Sequence, residues 1–459
     1  MTQKSFRVSG LFSILTPLQF SLFSFWYLSL FPGRLGYDYS ELTRMVQNDE
    51  STAWWGATFF WVFRFLTFDG SHIFLMSLLG LSTLTYSLKY FITAAISDPV
   101  HQRRLLSIIM ATPLYGVFGV NVSHDVFQSA GIILLTAVII NLRVREVMAG
   151  IYEKVAAGIG LLALTTTQPG AMISLAFIVY IFLIRFRKEA LVTFFLLILT
   201  LFASNLGIDE SGRMNSLSKN LLPRLMLVDL KCIVQHPEAG VTEAEWVVLE
   251  RYASRADWLQ PVSCSNPDVL AEPLKLRNKS LVLSRDLTRT FITLVSRNPA
   301  IPVMSHIQRS RVALPPPFFQ PPTNMVSWDI TQPVGLGTNV ALQQGPGLLH
   351  PSIDEPSVAY RPSLLKSLEP IAQAPTLIIN QASWFWGWGG LWLWPLILFL
   401  LRRLQIQTIK KLLQTTFPTF MLHLIIFIVG PSSLGRYVMS TVLMGMVALL
   451  ILFIPKRSS

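Results

Sequence analysis

A series of long apolar runs, separated by short basic clusters, constrains this chain more than any other feature of its sequence. A bilayer is crossed by about 20 mostly apolar residues, because every backbone N–H and C=O must be satisfied inside the helix. Charged residues make up only 14% of the chain, against roughly 25% in a soluble domain. We therefore expect an all-α polytopic membrane protein with about ten transmembrane helices. The predicted crossings are residues 11–31, 71–96, 105–120, 126–142, 155–167, 171–184, 190–206, 386–401, 413–429 and 437–454.

The basic residues indicate how these helices are oriented. They fall at the ends of apolar runs rather than in one patch, so the net charge of +12 reflects topology, and no nucleic-acid partner is expected. If the crossings alternate, the positive-inside rule puts both termini in the cytoplasm of a multi-pass protein of the inner or plasma membrane. The basic residues on that side are Lys4, Arg7, Lys89, Arg103, Arg104, Arg143, Arg145, Lys154, Arg185, Arg187, Lys188, Arg402, Arg403, Lys410, Lys411, Lys456 and Arg457.

The crossings divide the chain into three predicted parts. Residues 1–206 form an N-terminal membrane module of about seven helices, with a first outer loop at 32–70. Residues 207–385 form a mixed, loop-rich extracytoplasmic domain, and 386–459 a C-terminal membrane module of about three helices. The outer domain is predicted to be helical at 221–236, 242–256 and 285–312, and rich in Pro and Gly after residue 315.

Two local signals refine the outer domain. Thr242 followed by Glu245 has the spacing of a helix-capping box. The two cysteines, Cys232 and Cys264, both fall in this domain. They can form a disulfide if the compartment is oxidising, and the sequence leaves that open.

The first outer loop is longer than a tight turn requires. Residues 37–47 are predicted to form a short polar helix, and the aromatic stretch 54–68 a second helix lying in the membrane interface, where tryptophan is favoured. Arg64 falls within that aromatic stretch. It either extends to lipid phosphates in general or contacts the phosphate of one bound lipid.

Acidic residues beside the membrane are the strongest candidates for chemistry, since no P-loop, GxSxG or HExxH motif is present. Asp38 follows the first crossing and Asp125 begins the fourth, on the same predicted side. An acid at such a place pairs, binds a cation or transfers a proton. For Asp125, helix capping is the alternative, and for Asp38 the alternative is a solvated acid.

Several segments resemble the GT-C class of membrane glycosyltransferases, which use polyprenyl-phosphate sugars. The first loop has PG followed by Tyr-Asp and a helix ending near WW, and the outer domain has LTRTFITLVSRNPAIPVMSHIQRSRVAL. GRY at residues 435–437 opens the last crossing. These segments are similar to a bacterial group of polytopic proteins in this class. The resemblance implies a GT-C-like fold and transfer of a hexose or pentose from a polyprenyl-phosphate donor to a glycan, lipid or protein acceptor on the outer face.

The resemblance also implies roles for single residues. Asp38 is the implied general base, and Glu41, one helical turn later, shares its face and is the alternative base. Asp125 is implied to orient the acceptor or to hold a divalent cation, Mg²⁺ or Mn²⁺. Many members of the class carry a further acidic or His-Pro element late in the first loop, where this chain has Ser51, Thr52 and Ala53. This departure weakens the metal assignment.

Two basic residues complete the predicted site. Arg436 either contacts the donor phosphate or anchors the last helix at the interface. His124 is a metal ligand, a base or a hydrogen-bonded structural residue. Two other functions stay open: an O-antigen polymerase or ligase that uses basic residues of the large loop, and a transporter or lipid flippase, for which internal repeats are expected and none is found. The large loop offers Arg224, His236, Arg309 and Arg311.

Overall fold

The computed structural model describes residues 15–31, 34–35, 42, 46, 57–69, 73–145, 150–183, 221–260, 284–315, 368, 371, 383–386, 388–429 and 438–455. Helices dominate the described residues. The N-terminal module contains α1 (Pro17–Ser29), α2 (Ala57–Leu66), α3 (Phe74–Ala95), α4 (Pro99–Met110), α5 (Pro113–Gly119), α6 (His124–Ile139), α7 (Ile151–Leu164) and α8 (Gln168–Leu183), with a π-helical turn, Ile140–Val144, extending α6. Strands β1 (Arg34–Leu35) and β2 (Asn121–Val122) form a parallel pair.

The outer domain and the C-terminal module are also helical where they are described. The outer domain contains α9 (Leu221–Val234), α10 (Glu243–Leu249), α11 (Arg255–Leu259), α12 (Arg285–Arg297) and α13 (Ala300–Arg309), with 3₁₀ turns at Pro237–Ala239 and Arg311–Ala313. The C-terminal module contains α14 (Ser383–Trp386), α15 (Gly389–Arg402), α16 (Ile409–Thr415), α17 (Phe417–Val429) and α18 (Met439–Phe453).

Helix α6 is the centre of the N-terminal module. All 16 of its residues are buried, and it packs against α3, α7, α17 and α18. A Cβ on Gly131 of α6 would lie 2.7 Å from the carbonyl oxygen of Gly160 on α7. Glycine at this crossing therefore lets the two backbones approach closely, as small residues do between membrane helices.

Three predicted helices are interrupted by sequence features that end helices. The predicted crossing 105–120 is wrong as a single helix, because Thr112 caps a new helix that begins at Pro113. The predicted helix 285–312 is divided at Asn298 and Pro299 into α12 and α13. The predicted helix 242–256 ends at Leu249, and Ser254 caps α11 with its own box. The capping box of Thr242 and Glu245 is confirmed.

Hydrogen bonds join helix ends that the predicted alternation assigns to the same side. On the predicted inner side, an Arg145 N–H donates to the Thr93 carbonyl at 3.3 Å, and an Arg403 N–H donates to the Ile451 carbonyl at 2.9 Å. On the predicted outer side, the hydroxyls of Tyr27 and Ser77 donate to the carbonyls of Phe74 and Val120. The described helices therefore pack with their ends in register, as an alternating bundle requires.

The outer domain joins the C-terminal module through residues 311–315. His423 of α17 bonds the Ala313 carbonyl through Nδ1 at 2.6 Å and the Thr441 hydroxyl of α18 through Nε2 at 2.9 Å. Trp388 donates its indole N–H to the Leu314 carbonyl at 2.7 Å. A Cβ on Gly390 would lie 2.0 Å from that same carbonyl oxygen. This junction is therefore closely packed, and any larger residue at Gly390 would displace it.

By length and composition, one described helix, His124–Val144, qualifies as a membrane span. Helices Ile409–Thr415 and Phe417–Ile428 qualify together as a second, with a 73° bend between them. Shorter helices leave apolar residues exposed at helical spacing: Ile151, Val155, Ile159 and Leu162 on α7, Met172, Leu175 and Val179 on α8, and Phe420, Leu424 and Ile428 on α17. The expectation of about ten crossings stays a prediction, and crossing 190–206 lies outside the described residues.

Candidate functional site

The predicted acid Asp125 lies at the beginning of α6, in a network with its two preceding residues. Ser123 is the N-cap: its hydroxyl accepts the Asp125 amide at 3.2 Å and donates to Asp125 Oδ2 at 3.0 Å. His124 Nε2 lies 3.4 Å from Asp125 Oδ1. Since Ser123 supplies the cap, capping is not the role of Asp125, although its charge still favours the positive end of the helix dipole.

This network is enclosed by aromatic rings. Asp125 is 2% exposed, and the His124 ring meets the Phe59 ring edge to face at 5.7 Å between centroids. Phe59 also contacts Phe127, with 6.1 Å between the ring centroids. Electrostatic interactions are strengthened when water is excluded in this way. The beginning of α6 therefore has low-polarity surroundings, in which the hydrogen bond from Ser123 to the Asp125 carboxylate is strengthened.

Four further polar side chains lie at the same end of the bundle. Thr167 donates to the Gln128 side-chain oxygen at 2.8 Å, and the hydroxyls of Thr165 and Thr58 are 3.2 Å apart. Gln128 is one helical turn after Asp125 and therefore shares its face of α6. These four residues were not predicted from the sequence. The signals were Gln128 within an apolar helix and three threonines, 165–167, at the end of an apolar run.

The first outer loop approaches this site from two directions. Leu35 of β1 pairs with Val122 of β2, three residues before Asp125. Leu42 and Val46 are buried in one cluster with Val122, Phe59 and Phe127. Leu35 and Leu42 thus lie beside the beginning of α6. The predicted catalytic residues Asp38 and Glu41 lie outside the described residues.

The predicted phosphate ligand Arg64 lies near the C-terminal end of α2. Its Nε donates to Asp69 Oδ1 at 2.9 Å, and its guanidinium lies 5.7 Å from the centroid of the Trp61 ring. Phe68 and Asp69 both have left-handed backbone conformations, with φ of 51° and 57°. Arg64 is therefore held in a local ion pair, and its contact with a lipid phosphate stays a prediction. The second predicted phosphate ligand, Arg436, lies outside the described residues.

The described donors do not by themselves fit the predicted divalent cation. Mg²⁺ and Mn²⁺ prefer several oxygen ligands, usually with more than one carboxylate or phosphate. Among the described residues, the site offers one carboxylate, Asp125, and no group of three or more His, Cys, Asp or Glu side chains that could hold a metal. No chemical step is therefore assigned to a metal ion here.

The large-loop residues of the alternative polymerase or ligase hypothesis have different surroundings. Arg309 is buried and donates through Nη2 to Asp229 Oδ1 at 2.6 Å, while His306 Nε2 lies 3.1 Å from Asp229 Oδ2. His236 accepts the Glu238 amide at 3.4 Å in a 3₁₀ turn. The side chain of Arg224 is outside the described residues, and Arg311 is half-buried. His306 and Asp229 were missed by the sequence analysis, because they are 77 residues apart.

Two charged side chains in this domain have shifted pKa values. Burial lowers the pKa of Lys231, whose ammonium donates to the Asp257 carbonyl. Burial acts to raise the pKa of Glu245, but hydrogen bonds from Thr242 and Arg297 outweigh it and bring that pKa below its usual value. Cys232 is in a disulfide, and Cys264 is the only other cysteine in the chain.

No protein-family model, curated protein or solved structure matches this chain.

Proposed function

We propose that this protein is a membrane glycosyltransferase that moves a sugar from a polyprenyl-phosphate donor to an acceptor on the outer face. One observation carries the proposal: the enclosed Ser123, His124 and Asp125 network lies where the first and second outer loops meet. An acid is needed close to the membrane surface, since the polyprenyl tail keeps the donor phosphate there. In this proposal the beginning of α6 holds Asp125 at that level, while Asp38 lies outside the described residues and is assigned to the same side from the sequence alone.

The apolar surface of the bundle supports a lipid environment. Soluble monomers rarely expose large contiguous apolar patches. Here α7 exposes an apolar residue at every turn, at Ile151, Val155, Ile159 and Leu162, while its opposite face packs on α6. The close contact of Gly131 and Gly160 is also typical of membrane helix pairs. We therefore propose that these faces contact lipid.

The disulfide of Cys232 supports the outer location of the large domain. Disulfides persist in oxidising compartments and are rare in the cytosol. Cys232 lies on α9, within the domain that charge distribution assigns to the outside. Both properties support the same side of the membrane, and they are independent, since the disulfide is a feature of the structure and the charge distribution a feature of the sequence.

In the proposed reaction, a carboxylate accepts the proton of the acceptor hydroxyl as its oxygen attacks the anomeric carbon. The bond from that carbon to the phosphate oxygen breaks, and the polyprenyl phosphate leaves with the electron pair. Asp38 is the proposed base and Glu41 its alternative. Asp125 orients the acceptor, since its carboxylate is fixed by the Ser123 hydroxyl. This carboxylate is buried, so little water reaches it.

The buried Asp229–Arg309 pair favours this function over a polymerase or ligase that depends on Arg309. The guanidinium of Arg309 bonds a carboxylate in the protein interior, which is a structural role. A transporter remains the other hypothesis, and a transfer assay distinguishes it directly.

Asp125→Asn tests the proposal. Purified protein in nanodiscs is incubated with polyprenyl phosphates that carry labelled hexoses or pentoses, in the presence of membrane extract as acceptor, and release of the sugar is measured. We expect wild-type transfer, and a loss of about 10² to 10⁴-fold in Asp125→Asn and Asp38→Asn. The matched control is Asp98→Asn. Asp98 also begins a helix beside a histidine, His101, but at the opposite end of the bundle.

Two outcomes would contradict the proposal. Full activity in both Asp125→Asn and Asp38→Asn would contradict the proposed roles of these two acids. If the wild-type protein transfers sugar from none of the donors, the proposed glycosyltransferase function is wrong.

A further inference from the structure

An arginine at the far end of α6 is partly buried without an ionic partner. Arg143 lies in the π-helical turn that extends α6, at the opposite end of that helix from Asp125. Within the described part of the chain, its buried Nε atom makes no hydrogen bond and no carboxylate forms an ion pair with it. A guanidinium group that is removed from water is normally paired with an anion. Arg143 therefore has a binding capacity that the described residues do not fill.

A buried hydroxyl beside Arg143 also has no hydrogen-bond partner among the described residues. It belongs to Tyr180 of α8, which is 9% exposed. The Arg143 guanidinium interacts electrostatically with this hydroxyl. The Tyr180 ring is held in place, because it stacks on Phe417 of α17 with 4.8 Å between the ring centroids. Donors from two different helices thus lie side by side, and an oxyanion that accepts from both would satisfy both.

Further positive charge adjoins these two donors. Helix α16 packs against the π-helical turn and carries the exposed residues Lys410 and Lys411. The predicted alternation assigns this end of the bundle to the inner side, where clustered basic residues attract anionic lipid headgroups. The fork of a guanidinium matches the oxygens of a phosphate, and charge-assisted hydrogen bonds between them are strong. A lipid phosphate therefore fits both the charge and the donors.

An exposed apolar stripe on α17 begins at the same place. Phe417, which stacks on Tyr180, shares one face of α17 with residues that follow it at intervals of three or four. These residues are Phe420, Leu424 and Ile428, which are 51%, 36% and 54% exposed. The stripe extends along α17 from the inner end of the bundle, as an acyl chain extends from its headgroup. The donors and the stripe thus match the two parts of a phospholipid.

We propose that Arg143 and the Tyr180 hydroxyl bind the phosphate of an anionic phospholipid of the inner leaflet, with an acyl chain along the exposed stripe of α17. Such a lipid contacts α6, α8 and α17 together and stabilises their packing at this end. The site is at the opposite end of the bundle from the candidate functional site. It is therefore independent of the proposed glycosyl transfer.

Native mass spectrometry of the full-length protein in dodecyl maltoside tests this site by measuring lipid affinity. The probes are dioleoyl phosphatidylglycerol, dioleoylglycerol, which has the same tails and no phosphate, and glycerol phosphate, which has no tails. We expect phosphatidylglycerol to bind about tenfold or more tightly than either of the others. Arg143→Gln should weaken its binding about tenfold or more, because charge-assisted hydrogen bonds are lost. Tyr180→Phe, which retains the stacked ring, should weaken it roughly threefold.

The matched control is Arg402→Gln. Arg402 also ends a helix, α15, on the predicted inner side, but it is exposed, and its removal should leave the affinity nearly unchanged. Equal binding of dioleoylglycerol would show that no phosphate is recognised, and equal binding of glycerol phosphate that the tails do not contribute. Either result overturns the proposal, as does an unchanged affinity in Arg143→Gln or an equal loss in Arg402→Gln. If Arg143→Gln does not fold, Tyr180→Phe decides, and an unchanged affinity in that variant overturns the site.

Discussion

The two Asp–His pairs of this protein are built in opposite ways. His124 and Asp125 are consecutive and both buried, the His124 ring packs against Phe59, and His124 Nε2 lies 3.4 Å from Asp125 Oδ1. His306 and Asp229 come from different helices, form a 3.1 Å hydrogen bond and leave the imidazole accessible. The first pair is placed by helix capping and the second by tertiary packing. The first pair can therefore be recognised from adjacent residues in the sequence. The second pair, in which the histidine forms the shorter contact, can be recognised only from the fold.

The largest effect is expected when Arg309 is removed from the second pair. Arg309→Met leaves the Asp229 carboxylate buried without its guanidinium, and breaking a buried ion pair costs about 3 to 5 kcal/mol. Hydrogen exchange of α9 and α13 amides in the full-length protein measures the loss. The control is Arg255→Met, which removes the exposed pair of Arg255 with Glu243 and should cost about 0 to 1 kcal/mol. Equal exchange in both variants would mean that Arg309 does not stabilise the second pair.

A smaller effect is expected at the first pair. Ser123→Ala removes the N-cap of α6, which should cost about 1 kcal/mol, and also removes the hydroxyl that fixes Asp125 Oδ2. Amide exchange in the first turn of α6 should therefore become faster. Ser123→Thr, which retains the hydroxyl, should behave like the wild type. If Asp125→Asn accelerates amide exchange in α6 as much as Ser123→Ala does, Asp125 stabilises the helix. Its role would then be structural rather than catalytic.

Local signals in the sequence predicted features of both regions. The position of Asp125 in the first turn of α6, the aromatic helix α2 and the capping box at Thr242 follow from neighbouring residues. The breaks before Pro113 and at Pro299 also had local signals, because proline favours the first turn of a helix and interrupts its interior.

Other features have no local signal. The meeting of Asp229 and His306 requires α9 and α13 to pack together across 77 residues. Trp388 and Trp392 belong to a tryptophan-rich run of the sequence, and both are buried and donate their indole N–H groups to backbone carbonyls. Composition indicates that tryptophan lies near an interface. Only packing determines whether the ring faces the lipid or the protein.

The smallest predicted effect is a pH dependence of stability, which is expected in the outer domain and not at the beginning of α6. The Glu245 carboxylate accepts from Thr242 and Arg297, which brings its folded-state pKa below the unfolded value. Its stabilising contribution is therefore complete above the unfolded pKa of about 4.3 and is lost as pH falls through the lower, folded-state pKa. Exchange of α10 amides should become faster over that acidic range in the wild type, and Glu245→Gln should remove this pH dependence. If the dependence persists in Glu245→Gln, another carboxylate of the outer domain is responsible. The first turn of α6 should be unaffected by this substitution, since Glu245 belongs to the outer domain's own network.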